Sequence, residues 1–368
     1  MDASREELRQ EFLISHGWHL AAVTALPADA SFRRYFRLED SFKGPAMLMD
    51  APPPMEDVGP FQRIATHLVA LGLSAPVILA ADEAAGFLLL EDFGDATFTR
   101  LLRAGAPEQP LYEMAVDALV HLHDHPDATA IDVPPYDMEV LLREAALLSD
   151  CFYPAQTGRA CPAAARTAWL DAWREVIEGL PPGPETLVLR DYHVDNLMQL
   201  PGRQGAGECG LLDFQDALIG SPAYDMVSLL EDARRDIPPT LSRAMLARYQ
   251  AARPGLDPDN FAAWYAVLGA QRHAKVAGIF LRLLLRDGKD VYLQHIPRVL
   301  RLLSRQLEQP RLAPVRDWMM EYLPGYQAPL ADREAISKVH PGSYVEDLLA
   351  AVPAEGNRSL DGDTSLCP

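Results

Sequence analysis

The sequence predicts an α+β fold: a small β-rich N-terminal lobe followed by a larger, mostly helical C-terminal lobe. Three observations predict it. Apolar runs before residue 91 are mostly short and bounded by turn residues, as strands are. Beyond residue 93 the apolar positions return with a 3.6 period, as on amphipathic helices. At 368 residues the chain is also long enough to build two cores.

The elements follow in order. Residues 19–26 are apolar, residues 27–31 turn, and a strand resumes at 32–38; residues 46–49 form a buried-type run. Residues 60–71 read as a helix with Phe61, Ile64, Leu68 and Leu71 on one face and Gly72 as its stop. Two short strands, 77–81 and 87–90, flank a turn at 82–86. Glu91-Asp92-Phe93-Gly94 then marks a hinge. Helices are expected at 96–103, 111–123, 138–148 and 163–177, broken by Pro and Gly. Hairpins interrupt at 186–214, and helices resume at 223–232, 241–251, 260–286 and 290–307. From about residue 325 the composition shifts to Pro, Gly, Ser, Asp and Ala, which predicts a loosely held or partly disordered tail. No internal repeat is visible.

Bulk properties exclude several classes. Hydrophobic residues make up 49% of the chain, but no apolar run has the length needed to span a bilayer. The polar, acidic start of the chain is not expected to be a signal or transit peptide. The cysteines at 151, 161, 209 and 367 show no C-x-x-C pair and no zinc spacing, which suits a reducing cytoplasm. His121 and His125 share a helix face, but His123 points away and no Glu completes an H-E-x-x-H set, so no metal site is expected there. A formal net charge of −19 argues against nucleic acid or an anionic membrane as partner.

The informative stretch is Arg190-Asp191-Tyr192-His193-Val194-Asp195-Asn196, after a short apolar strand, followed by Asp213-Phe214-Gln215-Asp216 at the end of another. Phosphoryl transfer from ATP needs this set: one carboxylate to orient a hydroxyl, plus an amide oxygen and a carboxylate for Mg2+. The kinase pattern R-D-x-x-x-x-N followed by D-F-x is matched. Asp191 is the candidate base, and Asn196 and Asp213 are the candidate Mg2+ ligands, oxygen donors suited to a hard cation. The turn at 201–210 lets Asp213 return beside Asn196. The bland alternative is that all three are turn residues or strand-end caps.

These parts together resemble the aminoglycoside phosphotransferase family, with Leu189 where those enzymes usually carry the His of H-G-D. The likeness is nearer still to the anomeric amino-sugar kinases acting on N-acetylmuramate and N-acetylglucosamine. It is carried by residues 29–37, 49–53, 190–196, 213–217, 220–225 and 271–280, and covers roughly residues 10–325. It implies a protein-kinase-like fold with a nucleotide-binding lobe at 1–92, a catalytic and substrate-binding lobe at 93–325, and a tail at 326–368. It further implies transfer of the ATP γ-phosphate to the C1 hydroxyl, with the product passed to a nucleotidyltransferase in cell-wall recycling. Two other readings stay open: an aminoglycoside or amino-alcohol kinase, and a pseudokinase that only binds a partner. Oligomeric state is not legible.

The chain also departs from the kinase pattern at the third strand. Met49 stands where the third-strand Lys belongs, no Lys occurs from 44 to 274, and the helix at 60–71 holds no acidic partner. Another cation must then meet the phosphates. Arg33, Arg34, Arg37 and Lys43 are the candidates, with Arg33 or Arg34 favoured because they lie nearest the turn. Strand alternation puts Arg33, Tyr35 and Arg37 on one face and Arg34 on the other. Ser31 and Phe32 belong to the glycine-free candidate phosphate loop. Glu91 and Phe93 would read the adenine through the hinge backbone, with Val77 and Leu90 as walls or as core.

His193 either binds the sugar or holds the loop, and Asp216 either meets a sugar hydroxyl or caps a turn. Asp195 reads as a turn cap or a substrate contact. Asp225 is expected to brace the catalytic loop. Tyr153 and Trp169 are sugar-stacking candidates with core burial as the alternative. Arg272 and Lys275, three apart on a helix, are either surface charges or partners of a lactyl carboxylate.

Overall fold

A computed structural model describes residues 4–27, 32–330, 358–361 and 364–366. Ser31, most of the candidate phosphate loop and most of the predicted tail lie outside the described residues. The chain divides into two compact units: Met1–Asp132 with Asp191–Ala217 and Val352–Pro368, and Val133–Arg190 with Leu218–Ala351.

In chain order the elements begin α1 (Arg5–Ser15), β1 (Ala22–Ala25), β2 (Arg34–Asp40), β3 (Gly44–Asp50), α2 (Gly59–Ala70), β4 (Ile78–Asp82), β5 (Phe87–Glu91), α3 (Phe98–Arg103) and α4 (Glu108–Asp124). They continue α5 (Met138–Leu147), α6 (Tyr153–Thr157), α7 (Ala163–Glu178), β6 (Thr186–Val188), β7 (Leu197–Gln199), β8 (Cys209–Leu211) and β9 (Leu218–Gly220). The remainder is α8 (Ala223–Leu230), α9 (Pro239–Ala252), α10 (Pro258–Asp287), α11 (Ile296–Leu307), α12 (Ala313–Tyr322), β10 (Arg358–Asp361) and β11 (Thr364–Leu366).

In the first unit, β1 to β5 form an antiparallel sheet in the order β1-β2-β3-β5-β4. Alternation gives each strand two different faces. Phe36, Leu38, Ala46, Leu48, Phe87 and Leu89 pack against Phe12 and Leu13 of α1 and against Trp18. Each large side chain buried this way contributes about 1.5–3 kcal/mol. The register pairs Tyr35 with Met49 and Arg37 with Met47, so these four point to the opposite face. α1 was not expected among strands. Its Ser4 and Glu7 make a reciprocal capping box, and Arg5 donates to Asp50 (2.7 Å) while lying over the Phe87 ring. On α2, Phe61, Ile64, Ala65 and Leu68 are buried, and the Phe61 ring sits 4.9 Å from that of Phe214.

The second unit is mostly helical and is organised on α10, which is buried over most of its length. Asp257 caps its start, and Gly288 ends it at φ 67°. Gly278 lets the backbone of α10 approach the Leu147 carbonyl, where a Cβ would collide. The predicted helix at 290–307 is split: a 3-10 turn covers Asp290–His295, and α11 starts at Ile296 with Pro297 in its first turn. Trp169, Trp173, Tyr153, Phe280 and Trp318 belong to the unit's core. Among the described residues, no helix is long and apolar enough to cross a membrane.

Candidate active site

The site in the first unit is built on the β7–β8 hairpin. Its register pairs Leu197 with Leu211, which puts Asn196 just before one strand and Asp213 just after the other. The Leu212 N–H donates to the Asn196 carbonyl at 2.9 Å, closing the gap between them. The Asn196 amide nitrogen donates to the Asp191 carbonyl (2.9 Å) and approaches Asp213 Oδ2 (3.4 Å). Asn196 N–H in turn donates to the His193 carbonyl (2.9 Å). The loop from 191 to 196 is therefore wound tightly on itself, and the three residues expected to share the chemistry meet.

Electrostatics sets Asp213 apart from an ordinary surface carboxylate. The surrounding protein atoms, then the Asp191 charge, push the Asp213 carboxyl above its ordinary range; Gln215, Arg33 and His193 oppose them. Solvent still reaches Asp213, so it is crowded but not sealed. Its backbone is left-handed at φ 57°, a conformation that costs a non-glycine residue on the order of 1 kcal/mol or more. With the Asn196 nitrogen turned to the loop, its Oδ1 and the Asp213 carboxylate form an all-oxygen donor set. That chemistry fits Mg2+.

Arg190 immediately precedes Asp191 and is also left-handed, at φ 67°. It occupies the Gly position of H-G-D, where such a backbone would be unstrained. Asp225 on α8 holds it, accepting from the Leu189 and Arg190 N–H groups, both at 2.8 Å. The brace expected of Asp225 is thus present. The Arg190 side chain pairs with Glu144, which is fully buried and also meets Lys275 Nζ (2.9 Å), Gln271 and the Tyr136 hydroxyl. Burial opposes the Glu144 charge, but Lys275 and Arg190 hold its pKa down at about 2.

Arg33, a candidate for the phosphate-facing cation, has an acidic partner in Glu56. Arg33 Nε donates to Glu56 (2.9 Å), and Phe32 N–H donates to the other Glu56 oxygen (3.1 Å). Burial opposes the Arg33 charge, yet Tyr35, Glu56 and Asp213 together raise its pKa. Arg33 is thus electrostatically joined to the candidate metal ligand. Tyr35 is pushed up to about 12, by burial first. Glu56 lies in the loop before α2, outside the helix at 60–71 where the sequence pattern would place an acidic partner. Arg34 is not gathered here: it pairs in register with Asp50 and lies where it repels Arg9. Lys43 Nζ donates to the His16 carbonyl (2.9 Å), at the end of α1.

A cavity of about 360 Å3 adjoins this set, lined by Tyr35, Arg37, Met47, Leu90, Met198, Asn196, Asp213 and the segment Glu91 to Asp95. Leu90, read as either wall or core, is buried and also lines the cavity, as does Pro76, whereas Val77 is exposed. Arg37 clamps the segment after β5, meeting Asp92 twice (2.6 and 3.1 Å) and the Gly94 carbonyl (3.0 Å). From the β7–β8 turn, Arg203 pairs with Glu91 and donates to Ser74 Oγ (2.7 Å), 5.1 Å from the Phe93 ring. Neither clamp was foreseen, because both join residues far apart in sequence.

The other candidates are distributed as follows. His193 is buried inside the catalytic loop, 4.0 Å from Asp195, and Asp195 accepts from Thr99. Asp195 therefore ties the loop to α3. Asp216 is half-buried, three residues beyond Asp213. Tyr153 is 1% exposed and lies in the second unit's core, with its ring 6.4 Å from that of Trp318, so no face is open for stacking. Trp169 is core as well, donating to the Ala145 carbonyl. Arg272 and Lys275 are not surface charges: both are buried, Arg272 on Ser228 and Lys275 on Glu144.

Residues 22–263 match the phosphotransferase enzyme family. The chain belongs to that family. It is 36% identical over 361 residues to an N-acetylmuramate/N-acetylglucosamine kinase of Caulobacter vibrioides, covering 88% of this chain and 98% of that one. It is also 36% identical to a protein of the same name from Neisseria meningitidis, over 81% of this chain and 90% of that one. Among solved structures it resembles the GDP complex of aminoglycoside 2'-phosphotransferase-IIIa (TM-score 0.55, 16% identity, 83% and 98% of the two chains). A second is the ADP-bound aminoglycoside phosphotransferase APH(2'')-Ib (TM-score 0.53, 13% identity, 83% and 99%). The fold is that of the aminoglycoside phosphotransferases, which is protein-kinase-like.

Proposed function

We propose that this protein is an ATP- and Mg2+-dependent kinase that phosphorylates the C1 hydroxyl of N-acetylmuramate, N-acetylglucosamine or both. The observation that carries the reading is the meeting of Asp191, Asn196 and Asp213 on one hairpin, in a chain 36% identical over most of its length to kinases named for those sugars. Residues 1–92 are assigned to nucleotide binding, 93–325 to catalysis and sugar binding, and 326–368 to a tail outside both.

Each residue has a task. Asp191 orients the sugar hydroxyl and accepts its proton; an anomeric hydroxyl is acidic for an alcohol, so aim outweighs basicity. Asn196 and Asp213 hold Mg2+, which neutralises charge on the phosphates when bound. Arg33, kept in place by Glu56, supplies the positive charge that a third-strand Lys supplies elsewhere. Backbone groups of Glu91 and Phe93 read the adenine at the hinge that Arg37 and Arg203 hold. His193 steadies the loop. The product, a sugar 1-phosphate, suits a nucleotidyltransferase. The free thiols at Cys151, Cys161 and Cys209 fit a cytoplasmic setting.

Incubation of the purified protein with ATP, Mg2+ and each sugar, read by 31P NMR, is expected to show a sugar 1-phosphate that Asp191→Ala fails to make. No product from either sugar would refute the reading.

A further inference from the structure

Tyr35 carries a hydroxyl that none of the roles above uses. It stands on β2 opposite Met49, the position that a third-strand Lys would hold. Met49 is 1% exposed, whereas Tyr35 lines the cavity of about 360 Å3 together with Asn196 and Asp213. Every residue lining that cavity belongs to the first unit.

The hydrogen bonding of this hydroxyl is one-sided. Arg33 hydrogen-bonds to the Tyr35 side chain. A guanidinium has donors and no acceptor, so the phenolic oxygen accepts in that bond and its own proton points elsewhere. That proton has no acceptor among the described residues. Asp213 feels the hydroxyl electrostatically, but its oxygens are met by others: Oδ1 accepts from Gln215 (2.8 Å), and Oδ2 lies 3.4 Å from the Asn196 amide nitrogen. Burial raises the Tyr35 pKa, with Arg33 opposing and Asp213 adding to the rise, so the group keeps its proton at neutral pH.

An unused donor in a cavity wall asks for an acceptor on a ligand. Two features select a phosphate oxygen. The donor is bonded to a cation, so Arg33 and Tyr35 present positive charge and an O–H side by side, close to the carboxylate assigned to Mg2+. Arg37, two residues further along the same face, reaches the segment after β5 that is assigned to adenine. Tyr35 therefore lies roughly 7 Å along the strand from that end.

We propose that Tyr35 is a further residue of the active site, its hydroxyl donating a hydrogen bond to a phosphate oxygen of the bound nucleoside triphosphate. This rests on the kinase reading above. Glu56 holds Arg33, and Arg33 holds the Tyr35 oxygen, so the donor is set before the nucleotide arrives. No bond is made or broken at Tyr35.

Calorimetric titration of wild type and Tyr35→Phe with adenosine and with ATP, both in Mg2+, tests the assignment. Phe keeps the ring in the sheet and removes the hydroxyl alone. One hydrogen bond to a charged acceptor predicts about tenfold weaker ATP binding in Tyr35→Phe, with adenosine bound alike by both proteins. Equal ATP affinity in the two proteins overturns the proposal. So does an equal loss for adenosine and ATP, which would put the hydroxyl on the nucleoside or in the packing of the strand. The kinase reading is judged apart from this. A wild type that binds ATP and phosphorylates neither sugar refutes that reading, and the same titration still decides Tyr35. A wild type that binds no ATP overturns both.

Discussion

Glu144 in the second unit and Asp213 in the first are both acids crowded by protein, yet they titrate in opposite directions. Glu144 is sealed among Arg190, Lys275, Gln271 and Tyr136, and its pKa falls to about 2. Asp213 is raised first by burial and then by its neighbour Asp191, although Gln215 and Arg33 oppose the rise. In the first case the chain supplies the compensating charge, and the result is architecture that steadies a strained Arg190. In the second the compensation is incomplete. Under the proposed function, this under-neutralised carboxylate beside an open cavity is where Mg2+ would bind.

The contrast can be broken most sharply at Asp191. Replacing it with Ala is expected to lower kcat by about 10²–10⁴-fold while the melting curve barely moves, checked by steady-state kinetics and calorimetry. Glu144→Leu should do the reverse to stability. It leaves two buried cations without their carboxylate, and equilibrium denaturation should show a loss of about 3–5 kcal/mol.

Acid sharpens the same point. The folded pKa of Glu144 lies below its ordinary 4.5, as does that of Glu231, held at about 2 by His273 and Arg305 against burial. Their stabilisation is full above about pH 4.5 and disappears as pH falls toward 2. Stability measured against pH should drop across that window, and less steeply in Glu144→Gln. A smaller effect is expected at the pair that replaces Lys–Glu: Arg33→Ala should raise the KM for ATP by about tenfold or more, and Glu56→Gln by less. Equal KM values in wild type and Arg33→Ala would return the phosphate-binding cation to another residue.

What was legible in the sequence was local. Most of the order of strands and helices followed from periodicity, although α12 was not anticipated, and the meeting of Asn196 with Asp213 followed from a spacing that a single hairpin enforces. Alternation along β2 correctly separated Arg34 from Tyr35 and Arg37. What escaped was either polar or long-range. α1 was hidden by its charged surface, although Ser4 and Glu7 spell a capping box. Glu56 meets Arg33 from a loop 23 residues away, Arg203 meets Glu91 from 112 away, and Lys275 meets Glu144 from 131 away. No local pattern encodes such pairs. Lys275 looked like a surface charge because its burial depends on the whole helical unit closing around it.

Binding of nucleotide to wild type and Asp213→Asn, with and without Mg2+, addresses the under-neutralised carboxylate itself. Calorimetry should show Mg2+ tightening ATP binding to wild type, with at least tenfold of that gain absent from the variant and metal-free ATP binding alike in both. An Asp213→Asn protein that retains the full Mg2+ effect would contradict the account.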